Sequence, residues 1–436
     1  MIKTTTLLRT ITIVAAGLIA CFATPRAQAA NTTIWVGSCH TGSFSTITQA
    51  IAAVPPTGTT TINVCPGYYP EQVSIVGSKF DGFTLQGVAF THDGTTTDAV
   101  VVIPPSGGLQ QMGTIIDPDE PGPALPQIYV SGATGVTISH IVVDALSSQS
   151  CNGNLIGIYY QEASGIVNGS TARNQIEPSN NGDQCGWGIA IESDSSAFTL
   201  TVSNSSVHNF QKNGIVARGT GSVGPALTAT GNTVIGVGAV AGNAAQNGIE
   251  VAFGASGSVK SNYVADMIYP TNIANPSNGT GILFASATGN PTIEGNVVES
   301  ANIGIATDAD AGGATITTNH VGGSLNFDGI DLCSPGDSAK ANVVYNSTNS
   351  AIHLDDSCGS AATGATVTTN TINDACAGVL VGPTLSPASG AIASDTYFNV
   401  FTEVLIGSDT CTPPALPGSP SVKAAQSAAM AGKPRP

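Results

Sequence analysis

Along most of the chain apolar and polar residues alternate with period two, in short runs broken by Gly, Asn, Ser and Thr. That period sends successive side chains to opposite faces of an extended strand, and the breakers are turn formers. The pattern predicts many short strands. Helical spacing occurs at SFSTITQAIAAV (43–54), where Phe44, Ile47, Ala50, Ile51 and Val54 share one side.

The strands recur in two forms. One opens on Gly-Ile or a close variant: GIYY (157–160), GIAIE (188–192), GIVAR (214–218), GIEVAF (248–253), GILFA (281–285), GIATD (304–308), GIDLC (329–333), AIHLD (351–355) and GVLVG (378–382). The other reads apolar-x-x-Asn-x-apolar, as in VKSNYV (259–264), IEGNVV (293–298), ITTNHV (316–321) and VTTNTI (367–372). Its Asn falls at Asn232, Asn262, Asn296, Asn319, Asn342 and Asn370, giving units of roughly 22 to 34 residues with no helix inside them. A unit of two or three short strands cannot bury its own apolar face, but stacked on its neighbours it can, which predicts an all-β solenoid. The repeating Asn predicts an internal ladder of side-chain hydrogen bonds at one turn, and Asn also tolerates a left-handed corner.

These repeats resemble the right-handed parallel β-helix of the pectin lyase-like superfamily. The resemblance covers roughly residues 33–405 and implies that the 43–54 helix caps one end of the solenoid, where strand edges would otherwise be exposed. After that helix, Gly67-x-Tyr69-x-Glu71-x-Val73 is similar to the opening of pectin methylesterases and of many non-esterase β-helix proteins. The esterase dyads Gln-Asp and Asp-Phe and the Gly-Arg-Pro-Trp-like arginine are missing, so esterase activity is not expected. Asn326-Phe327-Asp328-Gly329-Ile330-Asp331 echoes the polygalacturonase motif Asn-Thr-Asp-Gly-Ile-Asp, and Asp355-Asp356 near Cys358 echoes Gly-Asp-Asp-Cys-Ile. The register departs, because here the paired aspartates follow Ile352 and Leu354 instead of preceding the apolar strand residue. The Gly-His-Gly and Arg-Ile-Lys elements are also missing.

Register isolates one candidate site. In the Gly-Ile strands the residues at +1 and +3 point inward, so +2 and +4 point out. Asp308, Asp331, His353 and Asp355 then collect on three neighbouring coils. Coils stack at about 4.8 Å, so Asp308–Asp331 and Asp331–Asp355 are expected about 8 Å apart between Cα atoms. That suits the carboxyl separation of inverting glycosidases, roughly 6.5–9.5 Å. The competing readings are a solvated polar face and a Ca²⁺ site, since hard cations take oxygen ligands. No other cofactor is expected. Glu192 and Arg218 share a column on adjacent coils and are expected to form a stacking salt bridge.

Composition bounds the setting. Lys3 and Arg9, the apolar run Ile11–Ala23 and Ala27-Gln28-Ala29 read as an export signal over residues 1–29. A lipobox-like Leu18-Ile19-Ala20-Cys21 offers lipid anchoring as the alternative, with cleavage near Ala29 favoured. Nine cysteines include Cys21, and the remaining eight fit an oxidising compartment. Sequence neighbours suggest Cys39–Cys65, Cys151–Cys185, Cys333–Cys358 and Cys376–Cys411. No C-x-x-C occurs, which disfavours zinc or dithiol redox chemistry.

The mature region 30–411 reads as one β-helix domain, with a Pro/Gly-rich loop insertion at 104–126 and a disordered Pro/Ala-rich tail at 412–436. Net charge is −16, and outside the signal and tail the bases are only Lys79, Arg173, Lys212, Arg218, Lys260 and Lys340. Scattered cations cannot track a phosphate backbone, so nucleic acid is not an expected partner. No run beyond the signal would span a membrane. Two functions follow. One is an exported enzyme that cleaves extracellular polysaccharide at the Asp/His patch. The other is a non-catalytic surface solenoid that binds glycans or serves adhesion. Oligomeric state is left open.

Overall fold

The computed structural model describes residues 31–412, apart from 89, 93–94, 98, 117, 119–120, 179–184, 241–243, 271–277, 311, 324–326 and 359. The signal segment, Asn326 and all of the 412–436 tail except Thr412 lie outside the described residues.

The strands wind into stacked coils, each adding one parallel strand to each of three long sheets. The first sheet holds 13 strands, from Thr32–Val36 to Ile392–Ala393, in an order that skips two strands of the chain at most steps. The second carries the strands that follow the Asn turn, among them Tyr263–Met267, Val297–Ala301 and His320–Gly322. The third carries the Gly-Ile strands, including Thr280–Ala285, Ile303–Asp308 and Ile330–Leu332. In the last coils Val343–Leu354 and Thr371–Val381 run through the corner and serve both of these sheets. The result is a parallel β-helix.

Its core is the column structure expected from period two. Ile189, Ile215, Ile249, Ile282, Ile305, Ile330 and Ile352 stack inward with no exposure. All but Ile352, which follows Ala351, are preceded by a glycine, and that glycine has a packing reason. A Cβ at Gly304 would sit 2.3 Å from Val321 Cγ1, and one at Gly329 would sit 2.3 Å from Val344 Cγ1. The third sheet therefore turns in against the valine column of the second, and a Cβ at these two glycines would clash.

The Asn turn is a continuous ladder. Asn296 Oδ1 accepts from the backbone N–H of Asn262 at 2.9 Å and from its side chain at 3.0 Å. Asn296 Nδ2 donates to Asn319 Oδ1 and to Val259 O, both at 2.9 Å. The same set repeats from Asn232 to Asn370 and ends on Asp395. The left-handed corner does not fall on the Asn itself. It falls one residue earlier, at Gly231, Ser261, Gly295, Thr318, Ala341 and Thr369, with φ between 54 and 65°. For a residue with a Cβ that conformation costs roughly 1–2 kcal/mol, which the ladder bonds offset.

The helix is shorter than its spacing predicts, spanning Ile47–Ala52. Phe44 instead bridges Val36 as extended chain. Thr46 Oγ1 accepts from Gln49 N, and Glu71 accepts from the backbone N–H groups of Ile47 and Thr48, each at 2.8 Å. The Gly67-x-Tyr69-x-Glu71 pattern thus ties strand to helix: Glu71 holds the helix start and the Tyr69 hydroxyl donates to Cys65 O at 2.7 Å.

The 104–126 insertion is partly regular. Thr114–Ile115 pairs antiparallel with Gly122–Pro123, and Gly122–Ser131 is one continuous strand through Pro123 and Pro126. A proline removes only its own N–H, and the other positions keep the ladder. All four expected cysteine pairs are joined, with Cα–Cα separations of 5.6, 5.9, 6.0 and 5.8 Å.

Candidate functional site

The third-sheet strands place Asp331 beside His353, with Ile330 opposite Ile352 and Leu332 opposite Leu354. Both residues leave the core as the register requires, yet they do not reach solvent. Asp331 and His353 keep 3% exposure and Asp355 keeps 1%. The expectation of an open polar face is corrected here, because period two sets the side of the sheet and not what lies over it.

Part of the cover is the C-terminal segment 407–411. Gly407 and Ser408 donate to Val381 O, Cys411 N donates to Asn349 Oδ1 at 2.8 Å, and the Cys376–Cys411 disulfide anchors the end. This strap brings Asp409 Oδ1 to 3.8 Å from His353 Nε2. On the other side of the ring, Nδ1 lies 3.4 Å from Asp328 Oδ2 and 3.8 Å from Asp331 Oδ1. Asp328 has no exposure, and its second oxygen accepts from Ser350 N at 3.0 Å, Ser350 Oγ at 2.6 Å and Asn349 Nδ2 at 2.9 Å. Burial alone would lower the pKa of His353. The carboxylates of Asp328, Asp409 and Asp331 outweigh it and hold the imidazole well above its ordinary value, so the ring is a cation in a carboxylate cage.

Of the four candidates, the structure brings together Asp331, His353 and Asp355, whose donor atoms lie within 4.8 Å of one another. That is closer than the carboxyl separation expected for an inverting glycosidase, roughly 6.5–9.5 Å. The carboxylate of Asp308 stands instead within 4.8 Å of the sulfurs of Cys333 and Cys358. Asp355 Oδ1 accepts from Ser357 N and Oγ, each at 2.7 Å, closing the turn. Asp355, Asp356 and Asp409 form a second group of donors within 4.8 Å, the oxygen-rich set that would suit a hard cation.

Sequence reading missed Asp328 as a partner, although its position two residues before Ile330 was a usable register signal. Nothing local marked Asp409. It also missed Asp310 and Asp337, buried at the next corner of the same coils. Burial pushes Asp310 up to about 8, against the pull of the Ala287 N–H and with further lift from Asp337 and Asp308. Asp337 is also raised by burial, although Ala314 N and Thr307 Oγ1 donate to it.

Farther along the same face lies another buried network. Glu192 and Arg218 are register partners as expected, and Arg218 Nε also reaches Glu250 on the next coil at 2.8 Å. The Arg218 guanidinium lies 4.8 Å above the Trp187 ring, and Tyr159 donates to Glu192. Ile115 of the 104–126 insertion packs with Tyr159, Trp187 and Val216 over this stretch.

The sequence matches no family model and no curated protein. Among solved structures, the chain is similar to the A-module of the mannuronan C-5 epimerase AlgE4 of Azotobacter vinelandii. The TM-score is 0.54 and the identity 14%, over 85% of this chain and 95% of that one. It is also similar to the surface protein and adhesin PfbA of Streptococcus pneumoniae, with TM-score 0.48 and 12% identity over 83% and 94%. The GH136 lacto-N-biosidase of Eubacterium ramulus gives 0.47 and 10% over 86% and 68%. The fold is the parallel β-helix that the pectin lyase-like resemblance implies. No helix among the described residues is long and apolar enough to cross a membrane.

Proposed function

We propose that this protein is an exported, non-catalytic β-helix that binds extracellular polysaccharide along its exposed sheet faces. One observation carries the reading against catalysis: Asp331, His353 and Asp355 are buried, in part by a disulfide-anchored strap. An acid or base must come within about 2.6–3.2 Å of the atom it serves, and a sugar chain has no path to these groups while the strap is seated. The charged His353 then acts as a counter-ion for the aspartates, holding the last coils together. The signal-like start and the four disulfides support export. In the same reading the right-handed coil is closed at its first turn by the 47–52 helix, which packs on Thr32–Val36, Thr60–Val64 and Val73–Val76.

The second reading is polysaccharide hydrolysis by Asp331, His353 and Asp355, with Asp308 nearby and Ca²⁺ on Asp355, Asp356 and Asp409. The convergence of the first three donor atoms within 4.8 Å favours it. The mature protein should be incubated with a polysaccharide panel, with and without Ca²⁺, reading retention, reducing ends and unsaturated products. Retention without cleavage is the expected result. Reducing ends that disappear in Asp331→Asn would overturn the proposal and establish the second reading.

A further inference from the structure

The outer face of the second sheet carries an aromatic and carboxylate array that the third-sheet site does not use. Glu299 pairs with Gly322, and two coils on Tyr345 pairs with Asn373 and Asn373 with Phe398. In the neighbouring column Tyr263 pairs with Val297, and Val297 with His320. The two tyrosines converge on one carboxylate. The Tyr263 hydroxyl donates to Glu299 Oε2 at 3.1 Å, and the Tyr345 hydroxyl to Oε1 at 3.2 Å. Tyr345 reaches it by lying over Gly322, where a Cβ would stand 2.2 Å from the ring. His320 meets the same ring edge-on at 5.0 Å between centroids. Tyr263 and Phe398 are 38% and 53% exposed in a chain whose aromatic content is only 5%.

We infer that this face is a binding platform for a neutral glycan, resting on the polysaccharide-binding reading above. Each oxygen of Glu299 accepts one phenol and keeps capacity for a second donor, so the carboxylate is held as a double acceptor for adjacent sugar hydroxyls. Tyr263, Tyr345 and Phe398 offer apolar ring surface for the C–H faces of pyranose rings. At about 4.8 Å per coil, Tyr345 and Phe398 are about 10 Å apart along the axis, so an extended chain would meet both. Charge selects the class. No Lys or Arg lies in this column between Ala265 and Phe398, and the chain carries a net charge of −16, so a uronate polymer would find no Lys or Arg in it to pair with.

The test is affinity electrophoresis of the mature protein in hydroxyethylcellulose, xyloglucan and dextran, against polygalacturonate and alginate. At least one neutral polymer should retard the protein and neither uronate should. Tyr345→Ala, Phe398→Ala and Glu299→Gln should each weaken retardation about fivefold or more. Tyr68→Ala, at an exposed aromatic on an early coil, should not. Tyr263→Ala carries the same test from an exposed position if Tyr345→Ala fails to fold. Retardation by a neutral polymer that all these variants retain would overturn the platform and leave the polysaccharide reading standing. Stronger retardation in uronates would overturn the neutral class. No retardation in any polymer would overturn both the platform and the reading it rests on.

Discussion

Replacing Asp310 with Asn should make the protein lose its preference for acid, and the size follows from the site. Asp310 is 4% exposed, its Oδ1 accepts from Ala287 N at 2.8 Å, and its own N–H donates to Ser334 Oγ at 2.9 Å. With its pKa pushed up to about 8 from an ordinary 3.8, the folded protein holds a proton that the unfolded chain releases. In that window the native state binds more protons, so stability falls as pH rises, by about 1.4 kcal/mol per unit for one group. From pH 5 to pH 8 the loss is about 4 kcal/mol, and above about pH 9 it stops growing. Asn keeps an acceptor for Ala287 and has no proton to lose. Urea unfolding followed by the fluorescence of Trp35 and Trp187 at pH 5, 6.5, 8 and 9.5 reads the effect. The stability of wild type minus that of Asp310→Asn should drop by about 4 kcal/mol across the first three values. His353 bends both curves alike: its raised pKa gives stability fully present below about 6.5 and lost as pH climbs through the folded value, and this cancels in the difference. A difference that does not change with pH would refute a buried, protonated Asp310.

Asn296→Ala should cost about 2–4 kcal/mol, because it leaves the Asn262 N–H without its acceptor and strips two bonds donated by Nδ2. Denaturant midpoints should show this loss clearly, and a change under 0.5 kcal/mol would mean the ladder is ornamental. Glu71→Ala should cost about 1–2 kcal/mol by freeing the first N–H groups of the 47–52 helix, and Glu71→Gln less than half of that. Hydrogen exchange should rise at Ile47 and Thr48 before it rises in the strands, and equal protection in the variant would count against this cap.

Period-two alternation and the recurring Asn are local patterns, and they sufficed for the coil, the inward isoleucine column, the Asn ladder and the register that sets Asp331 against His353. Stacking makes this so, because a residue's column neighbour is whatever occupies the same place one repeat later, about 4.8 Å away. The cysteine pairs were legible for the same reason: each spans about one coil. Exposure was not legible. Whether +2 and +4 residues meet water depends on segments distant in sequence, and Asp409 and Ile115 reach the face from the strap and from the 104–126 insertion. Asp409 helps turn an expected open patch into a buried ion cage, and Ile115 covers the Tyr159, Trp187 and Val216 stretch of the same face. Alternation reports which side of a strand a residue takes, and only the packed chain decides what covers that side.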